Sequence, residues 1–162
     1  MKTITVISVF YIFILVAIAS NGAEPVTIEE YVSDFLRLYP DRNELAQRDI
    51  IYIRKEPARH SINPAIVAVM VSKESGWRSG TIGGIGEIGL MQVHGVCATG
   101  QDLTTRQGQL KAGIECLARS REACDGSDRE MVTMYASGKC KSRSKRTQAL
   151  VNRRLRIARG LI

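Results

Sequence analysis

SKESGWRSGTIGGIGEIGLMQVHG, Ser72 to Gly95, sets one acid, Glu74, just ahead of a run rich in glycine. The residues leading into it, NPAIVAVMV (Asn63 to Val71), are apolar on nearly every side, which predicts a helix buried in the middle of a domain. Asn63 is a good N-cap, and Pro64 suits the first helical position, where its missing N–H would have had no partner. Glu74 then falls in the last turn of that helix. Gly83, Gly84, Gly86 and Gly89 free the following backbone to take positive φ or to run close against a neighbour. A loop or small β-like region is therefore expected from about Gly83 to Val93.

Helical patterns continue on both sides of this stretch. VTIEEYVSDFLRLYP carries Ile28, Val32, Phe35 and Leu36 at helical spacing and is stopped by Pro40; NELAQRDIIYIRKE reads as a second helix. Downstream, TTRQGQLKAGIECLARSRE places Leu110, Ile114 and Leu117 on one face, and REMVTMYASG is a further short helix. The last, RTQALVNRRLRIARGLI, puts Val151, Leu155, Ala158 and Ile162 on one side, with its arginines read as a solvated basic face. The chain's 162 residues suit one mainly α domain with one core and one site.

Net charge is +7, and the segment from Lys139 to Arg159 holds nine Lys or Arg residues and no acid. Such a face favours a polyanionic surface. At the N-terminus, Lys2 is followed by an uncharged, almost wholly apolar run from Ile4 to Ala19 with small residues at its end, the pattern of a secretory signal over 1–19. The alternative is a retained anchor, but sixteen residues fall short of the roughly 20 that span a bilayer. Export places the chain in the periplasm or cell envelope. There the anions within reach are cell-wall carboxylates, anionic wall polymers and lipid headgroups, and nucleic acid is excluded as a partner.

Cys97, Cys116, Cys124 and Cys140 all lie beyond the signal, where an oxidising compartment favours two disulfides. Three connectivities are open; Cys124–Cys140 is preferred because the two flank one short helix and close a loop of modest size, and Cys97–Cys116 because it would pin the glycine-rich segment to the following helix. No C-x-x-C pair is present and His60 and His94 lie 34 residues apart, so no metal site and no cofactor is expected.

A carboxylate serves as general acid near neutral pH when apolar surroundings help it keep its proton. Trp77, Leu90, Met91 and Val93 could provide such walls for Glu74; the bland alternative is an exposed acid at a helix end. The spacing adds weight to the first reading. Glu74-Ser75, Gly86 twelve residues after the acid, Gly89 at fifteen, and Leu90-Met91-Gln92 directly behind closely resemble the soluble lytic transglycosylase (SLT) domain family. QLKAGIECL resembles that family's next motif through Gly113, and MYASG its A-Y-N-A-G motif through Tyr135 and Gly138.

The resemblance covers about Ile62 to Gly138 and implies a lysozyme-like domain of about six or seven helices over 20–162, with the basic helix at about 146–160. It also implies cleavage of the β-1,4 bond between N-acetylmuramic acid and N-acetylglucosamine in peptidoglycan. Glu74 would act as acid and then base, forming a 1,6-anhydro sugar without consuming water. Gln92, Met91, Tyr135 and Ser75 match substrate-binding positions. A small enzyme of this kind would suit local opening of the wall beside a secretion, conjugation or phage assembly, or routine remodelling.

Three departures stand out. The serine often found nine residues after the acid is Gly83, the asparagine of the last motif is Ala136, and Glu87 occupies a usually small position. Glu87 could support lysozyme-type hydrolysis as a second carboxylate, or simply bond nearby backbone N–H groups. Trp77 could stack on sugar or anchor the core. Rival functions are a wall-binding protein without catalysis and a cationic protein that disrupts membranes through its last helix.

Overall fold

The computed structural model describes residues 25–40 and 43–161. The expected signal segment lies outside the described residues. Six α-helices follow in order: α1 (Ile28–Arg37), α2 (Asn43–Lys55), α3 (Pro64–Glu74), α4 (Arg106–Ala123), α5 (Asp128–Ser137) and α6 (Lys145–Arg159). Short 3-10 turns at Pro57–His60 and Gly95–Cys97 interrupt the connections. The domain is mainly α, and in place of a sheet there are three isolated β-bridges among the described residues.

Helix boundaries follow from caps written in the sequence. Thr27 and Glu30 form a reciprocal capping box on α1, with the Glu30 N–H donating to Thr27 Oγ1 at 3.1 Å and the Thr27 N–H donating to Glu30 Oε2 at 2.8 Å. Thr105, Ser127 and Ser144 cap α4, α5 and α6 in the simpler way. At the other end of α5, Gly138 takes φ 69°, the left-handed conformation in which helices commonly stop.

α3 is the hub. Asn63 Oδ1 accepts from the Ala65 N–H at 2.9 Å, Pro64 opens the helix, and every residue from Ala65 to Ser72 is buried. Such a helix has no solvent face to turn outward, so α1, α2 and α6 all pack around it. Leu110, Ile114 and Leu117 of α4 are fully enclosed, and α4 joins the assembly through α2 and α5.

The first and last described segments meet in a parallel bridge between Val26 and Leu161. On α6, Val151, Leu155 and Ala158 are buried as expected, while Ile162 lies outside the described residues. Both preferred disulfides are formed, Cys97–Cys116 and Cys124–Cys140, closing sequence separations of 19 and 16. In a loop-entropy account each contributes about 3 kcal/mol, which matters for a domain this small. Among the described residues no helix is long and apolar enough to cross a membrane.

Candidate active site

The chain leaves α3 by an abrupt turn. Gly76 and Trp77 take φ 58° and 66° in succession, and a left-handed tryptophan requires strong tertiary restraint. The restraint is visible. Trp77 is 1% exposed, its indole N–H donates to Ser72 Oγ at 2.9 Å, and its carbonyl accepts from Arg106 at 3.1 Å. Trp77 is therefore a core anchor and offers no face for a sugar to stack on.

Arg106 also pairs with the buried carboxylate of Asp49, so a single guanidinium ties α2, the start of α4 and the turn after α3 together. Burial pushes the Asp49 carboxyl above its ordinary range, and Arg106 opposes that shift.

From Thr81 to Val93 the backbone doubles over itself. The Gly83 N–H donates to the Glu87 carbonyl at 2.8 Å, the Gly89 N–H to the Thr81 carbonyl at 2.8 Å, and Ile88 and Val93 exchange bonds of 2.9 and 3.1 Å. This is the small β-like region expected there. One side chain clamps it to the core: buried Gln109 accepts from the Leu90 N–H at 3.0 Å and donates to the carbonyls of Ser79 and Leu103. Gly89 sits at φ 76°, and a Cβ there would overlap the Gln109 side chain, so conformation and space both demand glycine. Gly113 on α4 has the second role, since a Cβ there would overlap Met91.

Around Glu74 the residues meet as follows. Its carboxylate Oε1 lies 2.7 Å from Nη1 of Arg154, which comes from α6 and is itself 7% exposed. The same Nη1 donates to Met70 Sδ at 3.2 Å, one turn back along α3. Tyr135 on α5 donates its hydroxyl to the Met91 carbonyl at 2.7 Å. Burial, and then the charge of Glu74, push that hydroxyl above the ordinary tyrosine range, with Arg154 opposing. Lys73 completes the electrostatic picture: burial lowers its ammonium, as do the neighbouring positive charges of Arg153 and Arg154. Two shallow depressions, of about 490 Å³ beside Arg78 and Thr81 and about 640 Å³ beside α2, are lined by residues other than Glu74.

The sequence pattern of the transglycosylase SLT domain matches residues 51–154, well over half of the chain. The chain belongs to the SLT transglycosylase domain family. Members of this family are transglycosylases of the cell wall, and peptidoglycan is their substrate. Comparison with curated proteins gives no match. The matched region takes in α3, the glycine-rich loop, α4, α5 and the part of α6 that ends at Arg154.

In this SLT domain the five positions singled out by sequence occupy two layers. Glu74, Gln92 and Tyr135 are the partly accessible ones. Gln92 takes φ 51° and donates its amide to the carbonyls of Thr81 and Gly89 at 3.1 and 3.0 Å. Its own carbonyl oxygen stands only 2.8 Å from where a Cβ on Gly83 would be.

Met91 and Ser75 lie beneath. Met91 is fully enclosed, and Ser75 is 2% exposed, its hydroxyl 2.9 Å from the Leu90 carbonyl and 3.2 Å from the Val71 carbonyl. The Ser75 hydroxyl fastens the loop to the end of α3, and Met91 packs where Gly113 of α4 leaves room for it. The physical reason is that a backbone brought this close to a helix end leaves its carbonyls needing donors, and Ser75 is the donor at hand.

Glu87 is folded onto its own loop, with Oε2 accepting from the Ile85 N–H at 2.9 Å. Bonds from the backbone N–H groups of Ile85 and of Glu87 itself, with a smaller contribution from His94, hold its carboxyl below the ordinary range. A Cβ on Gly83 would overlap that carboxylate. Two of the departures from the family pattern, Gly83 and Glu87, are therefore one feature.

Arg154, Gln109 and Arg106 were not singled out in the sequence. For Arg154 a signal existed: positions 151, 154, 155 and 158 form one helical stripe, and the other three are the apolar residues that pack inward. The reading of the arginines on α6 as one solvated face is corrected accordingly. Arg153, Arg156 and Arg159 are exposed, and Arg154 is not.

Proposed function

We propose that this chain cleaves the β-1,4 bond between N-acetylmuramic acid and N-acetylglucosamine in peptidoglycan, leaving a 1,6-anhydromuramyl end. Glu74 donates a proton to the linking oxygen as the bond to the muramyl anomeric carbon breaks, and the electron pair stays on that oxygen. The resulting carboxylate takes a proton from the muramyl 6-hydroxyl as that oxygen closes onto the same carbon. Atoms balance without water, so one carboxylate suffices. The observation that supports this reading is that Glu74 falls inside the matched SLT region, at the end of a helix buried from Ala65 to Ser72, and is itself partly accessible.

The remaining residues take supporting roles. Gln92 has its amide hydrogens engaged by the loop and presents its carbonyl oxygen as an acceptor for a sugar N–H or hydroxyl. Tyr135, with its proton donated to the Met91 carbonyl, holds the loop against α5 beside the acid. Glu87, bound to its own backbone, is left out of the chemistry. The N-terminal segment directs export to the periplasm, and the exposed arginines of α6 attract the anionic wall.

The decisive test is mass spectrometry of products released from purified murein. Anhydro-muropeptides are expected. Reducing muramic acid ends would replace the transglycosylase reading with a hydrolytic one. Glu74→Gln should lower turnover by at least about 10²-fold, the lower bound of what a positioned proton donor contributes. Because it leaves Arg154 without its counter-charge, it should also cost stability, by less than about 3 kcal/mol given that Glu74 keeps some access to solvent.

A further inference from the structure

We infer that Arg154 is a positioning residue for Glu74, orienting the carboxylate through Oε1 so that Oε2 is the oxygen that exchanges the proton. The inference rests on the function proposed above. It starts from an anomaly of packing. Position 154 belongs to the inward stripe of α6 with Val151, Leu155 and Ala158, where an apolar side chain would be the stable choice. Replacing a buried ion pair by packed apolar groups is often neutral or stabilising, so burial of a guanidinium here has no obvious origin in stability.

What the guanidinium does is fix one oxygen. Nη1 stands 2.7 Å from Glu74 Oε1 and is held from behind by Met70 Sδ at 3.2 Å, on the same helix as Glu74. Both ends of the pair are thus referenced to α3. The carboxylate cannot rotate freely about its last bond, and Oε2 is left without an ion-pair partner. The contact therefore sets the direction in which Oε2 faces, and Arg154 takes no proton itself. Lys73 and Arg153 carry charge nearby, and among the described ion pairs neither is joined to Glu74.

The test compares steady-state kinetics on soluble murein glycan fragments for wild type, Arg154→Met, Arg154→Lys and Glu74→Gln, with melting midpoints measured in parallel. Arg154→Met should lower kcat roughly 100-fold, the scale of a misplaced catalytic group, with KM little changed and the melting midpoint lowered modestly because Glu74 loses its partner. Arg154→Lys, which keeps charge and loses the fork, should recover part of that loss. A kcat within about twofold of wild type, or a rise in KM with kcat intact, would overturn the inference while leaving the proposed function standing. Should Arg154→Met not fold, Arg154→Lys against Arg154→Gln decides: the lysine variant must be the more active, and equal activities overturn the inference. Full activity of Glu74→Gln would remove the proposed function instead.

Discussion

The glycine-rich loop and helix α6 converge on Glu74 by opposite means. The loop supplies backbone: Gly83, Gly89, Ile88 and Val93 close a set of main-chain bonds, and Gln109 and Ser75 fasten the result to α4 and α3. α6 supplies a single side chain from an otherwise ordinary amphipathic helix. The difference teaches where each region is vulnerable. In the loop the smallest added group damages the scaffold, whereas on α6 the outcome depends on which of two adjacent arginines is changed.

The largest stability effect should come from the loop. Gly89→Ala combines a left-handed φ with overlap on a buried, fully engaged amide, and should destabilise by roughly 2–4 kcal/mol in urea unfolding. A cost under about 1 kcal/mol would mean that Gln109 is not the clamp described.

Next is the coupled pair at the loop's turn. Gly83→Ser should cost about 1 kcal/mol, because the nearest obstructing atom is the mobile end of Glu87, and should cost less in a Glu87→Ala background, where only the approach to the Gln92 side-chain oxygen remains. Additivity in that double-mutant cycle would separate the two departures that the structure joins.

The smallest effect belongs to the outer face of α6. Neutralising Arg153, Arg156 and Arg159 together should leave the melting midpoint unchanged and weaken sedimentation with murein at low salt, with the difference vanishing as salt rises. A loss that persists at high salt would point to specific contacts in place of general attraction.

Much of the fold was legible because its determinants are local. Asn63 with Pro64 reads as a helix start; Thr27 with Glu30, Thr105, Ser127 and Gly138 mark helix ends in the same local way, through bonds made within a few residues, although they were not singled out as caps in the sequence. The apolar wrap of α3 announced its burial. Trp77 was ambiguous because a tryptophan can face sugar or core, and its left-handed backbone is invisible without the turn that imposes it. Ser75 and Met91 belong to the matched motif, yet a motif records which residues occur together and is silent on which of them face outward.

By itself, then, the sequence determined the helical framework, the order of the SLT motifs and the acid at the end of α3, since periodicity, capping and spacing are properties of neighbouring residues. Only the tertiary structure decided how Glu74 is held. Arg154 lies 80 residues away along the chain. Helical periodicity puts position 154 on the inward stripe, but only the packing of α6 against α3 sets that guanidinium beside Glu74 while Arg153 stays in solvent.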